Sequence, residues 1–436
     1  MIVMKFGGSS VKDAKRIINT AEIIKSRLSD DPVVVVSALG GITDMLIEAS
    51  ENAFSGKDSS SILKQIKERH VSTLKDLGLD ETLVDKELKE FTELIQRIAS
   101  VKEVTTETMD HVQSFGERMS AKLVAGHLNK IGIIAEAHNA YDVGFVSNDD
   151  YGNAEPIKET EEQLRQHLSN KKALPVITGF IAKNKAGKIT TLGRGGSDYT
   201  AAIVGTALNV SEIQIWTDVN GIMTTDPRIV NTAKTISEIS FNEASELAFF
   251  GAKVLHPKTI IPAIEKNIPV RVLNTYEPTN KGTVIVKEAK KQAVKGIACK
   301  RGNILMNITS QRMVNAHGFL ARLFSVFKKY GKSVDMIATS EVSVSLTIDS
   351  DRYLDEITKE LKKTAEVTIA KNKSIICVVG NGMQDSRGVI GRVLQTLSDL
   401  RIEMVSAGAS EINISLIVDD KDADTALKKL HAEYFE

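Results

Sequence analysis

The sequence contains few cysteines, few aromatic residues and no excess of charge of either sign. Its 436 residues include 2 cysteines, Cys299 and Cys377, and each lies in an apolar segment. Small secreted proteins that depend on disulfides are rich in cysteine, so a disulfide framework is excluded as the basis of this fold. We expect two reduced, buried thiols and a stability that comes from large hydrophobic cores.

The charge balance and the hydropathy pattern exclude two classes of partner. Lys and Arg together number 56, and Asp and Glu also number 56, so the formal net charge is zero. Nucleic acids and anionic membranes attract a basic surplus, and no long run of Lys and Arg is present. No apolar run approaches the ~20 residues that span a bilayer, and the segment from Met1 to Gly8 is not a basic and apolar leader. We expect a cytoplasmic protein without a nucleic-acid or membrane partner.

The length and composition predict a soluble protein with two or three domains. Residues 1–285 alternate short apolar runs with amphipathic stretches, which is typical of an α/β fold. Runs that are apolar at every position, such as Val33–Val36, indicate a mostly parallel sheet sandwiched by helices. Between about residues 45 and 130, apolar residues recur at helical spacing, which predicts a helical insertion. The predicted strands are Ile2–Phe6, Val33–Ser37, Ile133–Ala137, Ala173–Ile181, Ile213–Thr217, Val270–Leu273 and Thr283–Val286.

Four segments combine glycine with polar or charged residues at the ends of predicted strands. They are Lys5–Ser10, Ser37–Thr43, Gly193–Thr200 and Trp216–Arg228. The third of them precedes a predicted helix at Ala201–Leu208. Because ligands of open α/β sheets bind at the carboxyl ends of the strands, we expect these segments to converge. Glycines let a backbone approach a phosphate closely, and Lys5 can reach the same anion as a point charge. The Gly-x-x-x-x-Gly-Lys-Ser/Thr motif is absent, so the first segment is not a P-loop.

Two further segments carry a charged residue that also has an ordinary structural explanation. Ser114–Arg118 is predicted to open a helix, in which Glu117 is an acid of the first turn. Gly251–Pro257 places Lys253 on a mostly apolar stretch, where a lysine also occurs as a surface group. The 8 histidines show no spacing of metal ligands, so no metal site built from protein groups alone is predicted.

A charged stretch at residues 287–292 precedes an internal repeat, in which residues 318–349 match residues 388–419 without a gap. Each copy predicts a helix led by glycine, a strand, a turn at Ser-Glu and a second strand, and duplicated modules usually pack against each other. The apolar segment at 294–300 fits either copy. The identical positions are Gly318/Gly388, Arg322/Arg392, Ser340/Ser410, Glu341/Glu411, Ser345/Ser415, Leu346/Leu416 and Asp349/Asp419.

Over essentially its whole length the chain resembles the aspartate kinases of the amino-acid kinase family, in their single-function form. The repeat resembles paired ACT domains through residues 315–320 and 333–341. The resemblance implies an amino-acid-kinase-like α/β domain at residues 1–290, followed by two βαββαβ, ferredoxin-like ACT modules at 291–365 and 366–436. The motifs that carry it are, in order, Lys-Phe-Gly-Gly-Ser-Ser, Ser-Phe-Gly-Glu-Arg, Gly-Arg-Gly-Gly-Ser-Asp-Tyr-Thr-Ala, Trp-Thr-Asp-Val-x-Gly-Ile-x-Thr-Thr-Asp-Pro-Arg and Phe-Gly-Ala-Lys-Val-Leu-His-Pro.

The resemblance implies that ATP, with Mg²⁺ on its phosphates, donates its γ-phosphoryl group to the β-carboxylate of L-aspartate. That reaction is the entry step to lysine, threonine and methionine synthesis. Lys5 and Asp198 would be catalytic. The residues that would bind aspartate are Ser37, Thr43, Glu117, Arg194 and Ser197. The residues that would bind ATP are Lys5, Gly7, Gly8, Ser9, Thr217, Asp218, Met223, Arg228 and Lys253, and Met223 stands where relatives often carry tyrosine.

The resemblance further implies feedback regulation by an amino acid, lysine, bound at the first repeat. Amides at the start of the repeat's helix can receive the effector's α-carboxylate, and Asp335 can accept its ammonium. The second repeat has Val405 at the position equivalent to Asp335. Pairing of ACT modules implies a homodimer or a dimer of dimers. The residues that would bind the effector are Met313, Gly318, Phe319, Leu320, Val334, Asp335, Thr339 and Ser340.

Two alternatives remain open from the sequence. A sibling kinase that acts on acetylglutamate, glutamate, carbamate or UMP would share the fold and the first glycine-rich turn. Such a kinase would not account for Glu117-Arg118 together with the repeat. A non-catalytic amino-acid sensor would be expected to have lost Lys5, Arg194 or Asp198, and all three are present.

Overall fold

The computed structural model describes residues 1–251, 255–313 and 317–436. The chain divides into two compact units, Met1–Ile222 with Val254–Glu288 and Met223–Lys253 with Ala289–Glu436. None of the described helices is both long enough and apolar enough to cross a membrane.

The secondary-structure elements are numbered along the chain. The strands are β1 Ile2–Phe6, β2 Pro32–Val36, β3 Ala135–His138, β4 Val146–Ser147, β5 Leu174–Thr178, β6 Ile181–Asn184, β7 Ile189–Thr191, β8 Glu212–Thr217, β9 Glu238–Ser240, β10 Val270–Asn274, β11 Thr283–Val286, β12 Gly296–Thr309, β13 Ile337–Thr339, β14 Ser343–Ile348, β15 Glu366–Val379, β16 Met404–Ala407 and β17 Asn413–Asp419. The helices are α1 Ala14–Lys25, α2 Ile42–Phe54, α3 Ser60–Leu77, α4 Asp85–Val101, α5 Thr106–Lys130, α6 Thr160–Leu168, α7 Gly196–Leu208, α8 Phe241–Phe249, α9 Ile261–Glu265, α10 Phe319–Lys329, α11 Leu354–Leu361, α12 Val389–Thr396 and α13 Ala423–Phe435.

The first unit is built on a mostly parallel sheet, as the sequence predicts. Its strands lie in the order β3-β5-β2-β1-β8-β10-β11. The pairs from β3 to β10 are parallel, and β11 alone runs antiparallel to its neighbour β10. Every residue of β1 and β2 is buried, because helices cover both faces of a parallel sheet. Helices α1, α2 and α5 share a hydrophobic core with these two strands.

The predicted strand at residues 173–181 is too long, because the chain turns before its predicted end. β5 ends at Thr178, and β6 begins at Ile181. Between them Phe180 has a φ of +68°, a backbone conformation outside any strand. The Phe180 N–H donates to the hydroxyl of Thr200 at 3.0 Å instead of to a neighbouring strand. A run of apolar residues does not reveal such a turn.

Two predicted helix starts also differ from the structure. α5 begins at Thr106, where the hydroxyl of Thr105 accepts a hydrogen bond from the Thr108 N–H at 3.1 Å. Glu117 therefore lies within a long helix and is not an acid of its first turn. α7 begins at Gly196, so Asp198 belongs to its first turn, ahead of the predicted start at residue 201. There the N-terminal end of the helix dipole favours a carboxylate.

The second unit contains a six-stranded antiparallel sheet in the order β13-β14-β12-β15-β17-β16. β12 and β15 are each 14 residues long and pair along most of their length. Near the middle of each strand a residue has positive φ, Gly302 at +70° and Asn372 at +57°, so each strand changes direction between two cores. Ile304 packs in the core of the first repeat, whereas Ile297 packs in the core of the second. The segment at 294–300 therefore completes the second copy, and the two βαββαβ modules share their central strands.

Candidate active site

The first unit holds a cavity of about 400 Å³ beside the carboxyl ends of β1, β2 and β5. Three of the glycine-rich segments and the middle of α5 line it. The fourth segment, Trp216–Arg228, does not contribute to its lining. The predicted site residues that line the cavity are Lys5, Gly8, Ser37, Thr43, Glu117, Arg194, Ser197 and Asp198.

An ion pair lies in the wall of this cavity. The Nζ atom of Lys5 is 2.6 Å from Oδ1 of Asp198, and each side chain is 11% exposed. Lys5 comes from β1 and Asp198 from the first turn of α7. A Cβ on Gly7 would lie 3.5 Å from the Lys5 ammonium, so the glycine turn passes directly beside the charge. The arrangement fixes one cation next to a backbone that an anion can approach.

The first two glycine-rich turns touch through their backbones. The Gly40 N–H donates to the carbonyl oxygen of Gly8 at 3.1 Å. A Cβ on Gly8 would lie 3.0 Å from the carbonyl oxygen of Ala38, and a Cβ on Gly40 would lie 3.1 Å from that of Gly8. Side chains at these two positions would force the turns apart. The glycines are therefore required by the close approach of the two turns.

Hydroxyl groups connect the second and third segments. The Ser37 hydroxyl donates to that of Ser197 at 3.0 Å. Gly195 caps α7 with a φ of +75°, a conformation that favours glycine. A Cβ on Gly179 would lie 2.6 Å from the Cβ of Ser197, so the turn after β5 packs tightly against this helix start. The cavity wall is held by contacts from three neighbouring strand ends.

Glu117 is the buried acid of the site. Its Oε1 atom accepts a hydrogen bond from the Ala38 N–H at 3.1 Å. Among the described residues, its Oε2 atom has no hydrogen-bond partner. Burial raises the pKa of Glu117 from 4.5 to about 8, against the opposing effect of the Ala38 hydrogen bond. An unpartnered carboxylate oxygen in a cavity fits a ligand that brings a cation or a hydrogen-bond donor.

The predicted nucleotide residues are not all gathered at this cavity. Gly7 donates its N–H to the carbonyl oxygen of Trp216 at 3.2 Å, so the first turn lies against the end of β8. Ser9 follows in a short 3-10 helix, Gly8–Val11. At the end of β8, the Thr217 hydroxyl donates to Oδ1 of Asp218 at 3.1 Å.

Two further residues predicted to bind the nucleotide lie outside the first unit. Met223 and Arg228 belong to the second unit. The sulfur of Met223 accepts a hydrogen bond from the Thr235 hydroxyl at 3.4 Å. The guanidinium of Arg228 pairs with Asp226 at 2.6 Å, and its side chain is 88% exposed. Lys253 lies outside the described residues.

The structure adds two cavity residues that the sequence reasoning missed. Asp44 follows Thr43 in the first turn of α2, and Phe180 occupies the turn after β5. The signal for Phe180 was the pair Thr178-Gly179 at the end of an all-apolar run, because glycine there indicates a turn. Nothing in the sequence indicated that Asp44 lines the cavity, apart from its position next to Thr43.

The predicted effector residues occupy the first repeat in the second unit. Met313, Phe319 and Val334 pack against one hydrophobic core. Gly318 caps α10 with a φ of +78°, and Leu320 in the first turn of that helix is 41% exposed. Thr339 ends β13, and beyond it the Ser340 and Ser343 hydroxyls are 2.7 Å apart. The remaining residue, Asp335, pairs through its carboxylate with Lys300.

The described residues contain no group of three or more His, Cys, Asp or Glu side chains arranged to hold a metal ion. The carboxylate of Asp198 already faces Lys5. The donor set in this part of the chain therefore suits a cation that arrives with ligands of its own, such as Mg²⁺ carried on phosphates.

Comparison with known proteins places the chain in a family. The profile of the Amino acid kinase family matches residues 1–274, and that of the ACT domain matches residues 306–355 and 376–434. In an alignment of 458 positions, gaps included, the chain is 43% identical to Aspartokinase 3, chloroplastic, of Arabidopsis thaliana, covering 100% of this chain and 81% of that protein. In an alignment of 454 positions, gaps included, it is 36% identical to the Lysine-sensitive aspartokinase 3 of Escherichia coli, covering 100% of this chain and 99% of that protein.

Solved structures agree with these relatives. E. coli aspartokinase III in complex with lysine and aspartate, in the T-state, superposes with a TM-score of 0.85 at 34% identity, and the match covers 100% of both chains. The same enzyme in complex with aspartate and ADP, in the R-state, gives a TM-score of 0.82 at 34% identity, again over 100% of both chains. The chain therefore belongs to the aspartokinases, within the amino acid kinase family.

Proposed function

We propose that the cavity beside β1, β2 and β5 is the site at which this aspartokinase binds L-aspartate and phosphorylates its β-carboxylate. The observation that carries the proposal is the composition of one cavity wall. A lysine–aspartate pair, an arginine and a buried acid line the same 400 Å³ space. One oxygen of that acid has no hydrogen-bond partner among the described residues. Aspartate carries two carboxylates and one ammonium, and these groups are complementary to that wall.

The proposed pose uses one protein charge for each backbone charge of the substrate. Glu117 accepts the α-ammonium through Oε2, the oxygen without a partner among the described residues. Arg194 receives the α-carboxylate, because its planar guanidinium can donate two parallel hydrogen bonds to a carboxylate. The hydroxyls of Ser37, Thr43 and Ser197 supply the remaining polar contacts.

The proposed chemistry is direct displacement. A β-carboxylate oxygen attacks the γ-phosphorus of ATP, the bond from that phosphorus to the β–γ bridging oxygen breaks, and 4-phospho-L-aspartate and ADP form. The nucleophile is already ionised, so no proton has to be removed. Lys5 neutralises the charge that builds on the transferred phosphoryl group, and Asp198 holds Lys5 in place.

The nucleotide is proposed to lie along the first turn and the end of β8. Gly7, Gly8 and Ser9 would line the phosphates, and Thr217 and Asp218 would lie beside the nucleoside. The sequence resemblance adds three more residues that would bind the nucleotide, Met223, Arg228 and Lys253. Mg²⁺ would bind with the ATP phosphates and supply additional positive charge there, with few ligands from the protein.

Lysine is proposed as a feedback effector bound at the first repeat. The E. coli relative was solved with lysine and aspartate in one state and with aspartate and ADP in another. In this chain the amides of Gly318, Phe319 and Leu320 would receive the α-carboxylate of lysine, and Asp335 its side-chain ammonium. Met313 and Val334 would contact its methylene groups, and Thr339 and Ser340 its remaining polar groups.

The assembly and the location are proposals as well. Residues 1–290 would be the catalytic domain, and 291–365 and 366–436 would supply the two ACT modules with their shared strands. β13 and β16 end the six-stranded sheet, and both expose apolar side chains, Ile337 at 38% and Val405 at 39%. A second copy would cover these edges and give a homodimer or a dimer of dimers, which light scattering at several concentrations would detect. The cytoplasmic location would be tested by fractionation of cells.

One assay tests the activity against both alternatives. ADP release is followed with Mg-ATP and L-aspartate, L-glutamate or N-acetyl-L-glutamate, and hydroxylamine traps the acyl phosphate as a hydroxamate. The expected result is aspartate-dependent ADP release with formation of a hydroxamate, inhibited by lysine. Release with another acid in place of aspartate would identify a sibling kinase. Lysine binding without any ADP release would identify a non-catalytic sensor.

A further inference from the structure

The acid assigned to the effector is already paired with a lysine of the same chain. The Nζ atom of Lys300 lies 2.7 Å from Oδ2 of Asp335, and the two side chains are 23% and 3% exposed. The Asp335 backbone N–H donates to the carbonyl oxygen of Thr347 at 3.0 Å, which fixes the acid beside β14. A nearly buried carboxylate is thus held in place by secondary structure, and a more accessible ammonium lies against it.

The partner has the same chemistry as the proposed effector. Lys300 presents a primary ammonium on a four-carbon stem, which is also the side chain of free lysine. Burial raises the pKa of the Asp335 carboxyl, and the hydrogen bond from Lys300 opposes that effect. A buried carboxylate needs a cation to remain ionised, so the site selects for an ammonium group. Two ammonium groups on one buried acid would leave an uncompensated positive charge.

We propose that Lys300 occupies the place of the effector's side-chain ammonium in the effector-free chain, and that lysine binds by displacing it from Asp335. This proposal rests on the effector site assigned above. Lys300 acts as an internal competitor, so the observed affinity for lysine is the intrinsic affinity reduced by the fraction of chains whose Asp335 is unpaired. The site is specific for an ammonium group because the Lys300 ammonium already occupies the place beside Asp335.

Displacement leaves Lys300 with other favourable contacts. Its ammonium also lies 5.0 Å from the centroid of the Phe249 ring, at the end of α8. A cation near the face of an aromatic ring is attracted to it. The 23% exposure of the Lys300 side chain also gives the ammonium access to water. The long, flexible stem allows the head group to leave Asp335 without movement of β12.

The positions that the repeat relates to this pair carry neither charge. The positions that are equivalent by the 70-residue offset between the copies, from Gly318 to Gly388, are Ala370 for Lys300 and Val405 for Asp335. Neither residue can carry a charge. Acid and ammonium therefore occur together at the proposed pocket, where Lys300, on the strand segment that completes the second copy, meets Asp335 of the first, and they are absent together from the related positions. This is expected if the two residues act together in controlling the binding of lysine.

The test uses the full-length enzyme and calorimetric binding of L-lysine to wild type, Lys300→Met, Lys300→Arg and Asp335→Ala. Removing the competitor should lower the dissociation constant for lysine about tenfold in Lys300→Met, whereas Lys300→Arg should stay near wild type. Asp335→Ala should lose detectable binding. Lys329→Met is the matched control, because it removes the ammonium of a surface pair with Glu360 in the same module, and it should leave the dissociation constant unchanged.

A second measurement needs no variant. Amine acetylation of wild type is read by mass spectrometry as the ratio of labelling at Lys300 to labelling at Lys329, which corrects for reagent consumed by free lysine. Saturating lysine should raise this ratio severalfold, because the displaced ammonium becomes accessible. This measurement decides the question if Lys300→Met fails to fold.

The outcomes separate this proposal from the effector assignment. Unchanged or weaker lysine binding in Lys300→Met, with wild type binding lysine and Asp335→Ala not binding it, would overturn the displacement while the effector site stands. An unchanged labelling ratio at saturating lysine would do the same. Absence of lysine binding in wild type would overturn the effector site and the displacement together.

Discussion

The ammonium of Lys5 lies 2.6 Å from a carboxylate oxygen of Asp198, although one residue lies near the end of a central strand and the other lies in the first turn of a helix far along the chain. Parallel strands bring their carboxyl ends to one edge of a sheet, so the pair lies where a ligand can reach it. The dipole of α7 favours the carboxylate in its first turn, and the carboxylate in turn orients the lysine. A single positive charge is thereby positioned beside the Gly7-Gly8 turn.

Removal of either member of this pair should reduce turnover. Lys5→Met and Asp198→Asn are each expected to lower kcat with ATP and aspartate by about 10²–10³-fold, because the positioned charge acts mainly on the transition state. Thermal unfolding should show that both variants remain folded at the assay temperature. Lys15→Met on the exposed face of α1 is the control and should keep the wild-type kcat. A kcat within about twofold of wild type in either site variant would remove that residue from the catalytic assignment.

Glu117 predicts a linkage between aspartate binding and protons. Its pKa of about 8 in the empty site means that the carboxyl is mostly protonated at pH 7. Pairing with the substrate ammonium requires the ionised form, so binding at pH 7 should release about one proton. The KM for aspartate should therefore fall as the pH rises from 6 to 8. Calorimetry in buffers of different ionisation enthalpy measures the released proton directly.

The control for this linkage is Glu117→Gln, which cannot ionise and should bind aspartate weakly, without proton release. Glu107→Gln on the same helix, whose carboxyl lies outside the cavity lining, should behave as wild type. Aspartate binding without any proton release in wild type would show that Glu117 does not meet the ammonium.

The same residue should make the empty enzyme less stable at higher pH. Between pH 4.5 and about 8 the folded chain holds a proton on Glu117 that the unfolded chain releases. Stability from this group is therefore present at low pH and is lost as the pH rises through that range, by an amount on the order of 5 kcal/mol. Glu117→Gln should unfold at a higher urea concentration than wild type at pH 8.5 and at a similar one at pH 5. Equal shifts at both pH values would contradict this explanation.

Arg194 should govern aspartate affinity through the geometry of its guanidinium. Arg194→Ala is expected to cost on the order of 2–5 kcal/mol in aspartate binding, seen as a large rise in the KM for aspartate with a small change in the KM for ATP. Arg194→Lys should recover little, because a point charge cannot donate two parallel hydrogen bonds. Arg165→Ala on α6 removes an exposed guanidinium paired with Glu162 and is the control. An aspartate KM that stays at the wild-type value in Arg194→Ala would exclude the proposed pose.

The sequence predicts the sheet and most of the cavity for a physical reason. Strands such as β1 and β2 are apolar at every position, and polar residues at their ends mark one edge of a parallel sheet. It does not predict Phe180, because a positive φ in an apolar residue is imposed by the packing of Gly179 against Ser197. The helical position of Glu117 was also missed. α5 is buried on most sides, so its apolar residues show no single stripe from which the start of the helix could be located.

The sequence does not predict that the two modules of the second unit share their central strands, and the reason is a different one. The repeat offset identifies two equivalent copies but not which copy receives the segment at 294–300. That choice depends on pairing between β12 and β15, in which Ala298 lies opposite Cys377. An apolar segment can pack in either core, so only the structure shows the register in which β12 pairs with β15.

A Cβ at Gly8 should disturb the active-site turns. It would lie 3.0 Å from the carbonyl oxygen of Ala38, which is backbone and cannot move independently of the second turn. Gly8→Ala is expected to lower kcat/KM for aspartate at least about tenfold, because small displacements of catalytic groups are costly. Gly391→Ala in α12, where a Cβ meets open space, is the matched control and should slightly stabilise the chain without an effect on rate. Wild-type kcat/KM in Gly8→Ala would show that the two turns tolerate separation.

The last prediction concerns a fully buried ion pair in the second unit. Glu243 and Lys295 are 0% and 4% exposed, with Oε2 of the acid 3.1 Å from the ammonium. The acid also accepts the N–H of Ser240 at 2.9 Å and the N–H of Asn381 at 2.7 Å, so it joins the start of α8 to the second repeat. Glu243→Gln should destabilise the unit by about 3–5 kcal/mol, because it leaves a buried ammonium unpaired.

A double-mutant cycle measured by urea unfolding tests this point. Adding Lys295→Met to Glu243→Gln should restore part of the lost stability, since the second substitution removes the charge that the first one left without a partner. The same cycle on the exposed pair of Lys329 and Glu360 should give a coupling near zero, because water screens it. If the buried pair shows no more coupling than the exposed one, the acid stabilises the unit through its backbone hydrogen bonds rather than through its charge.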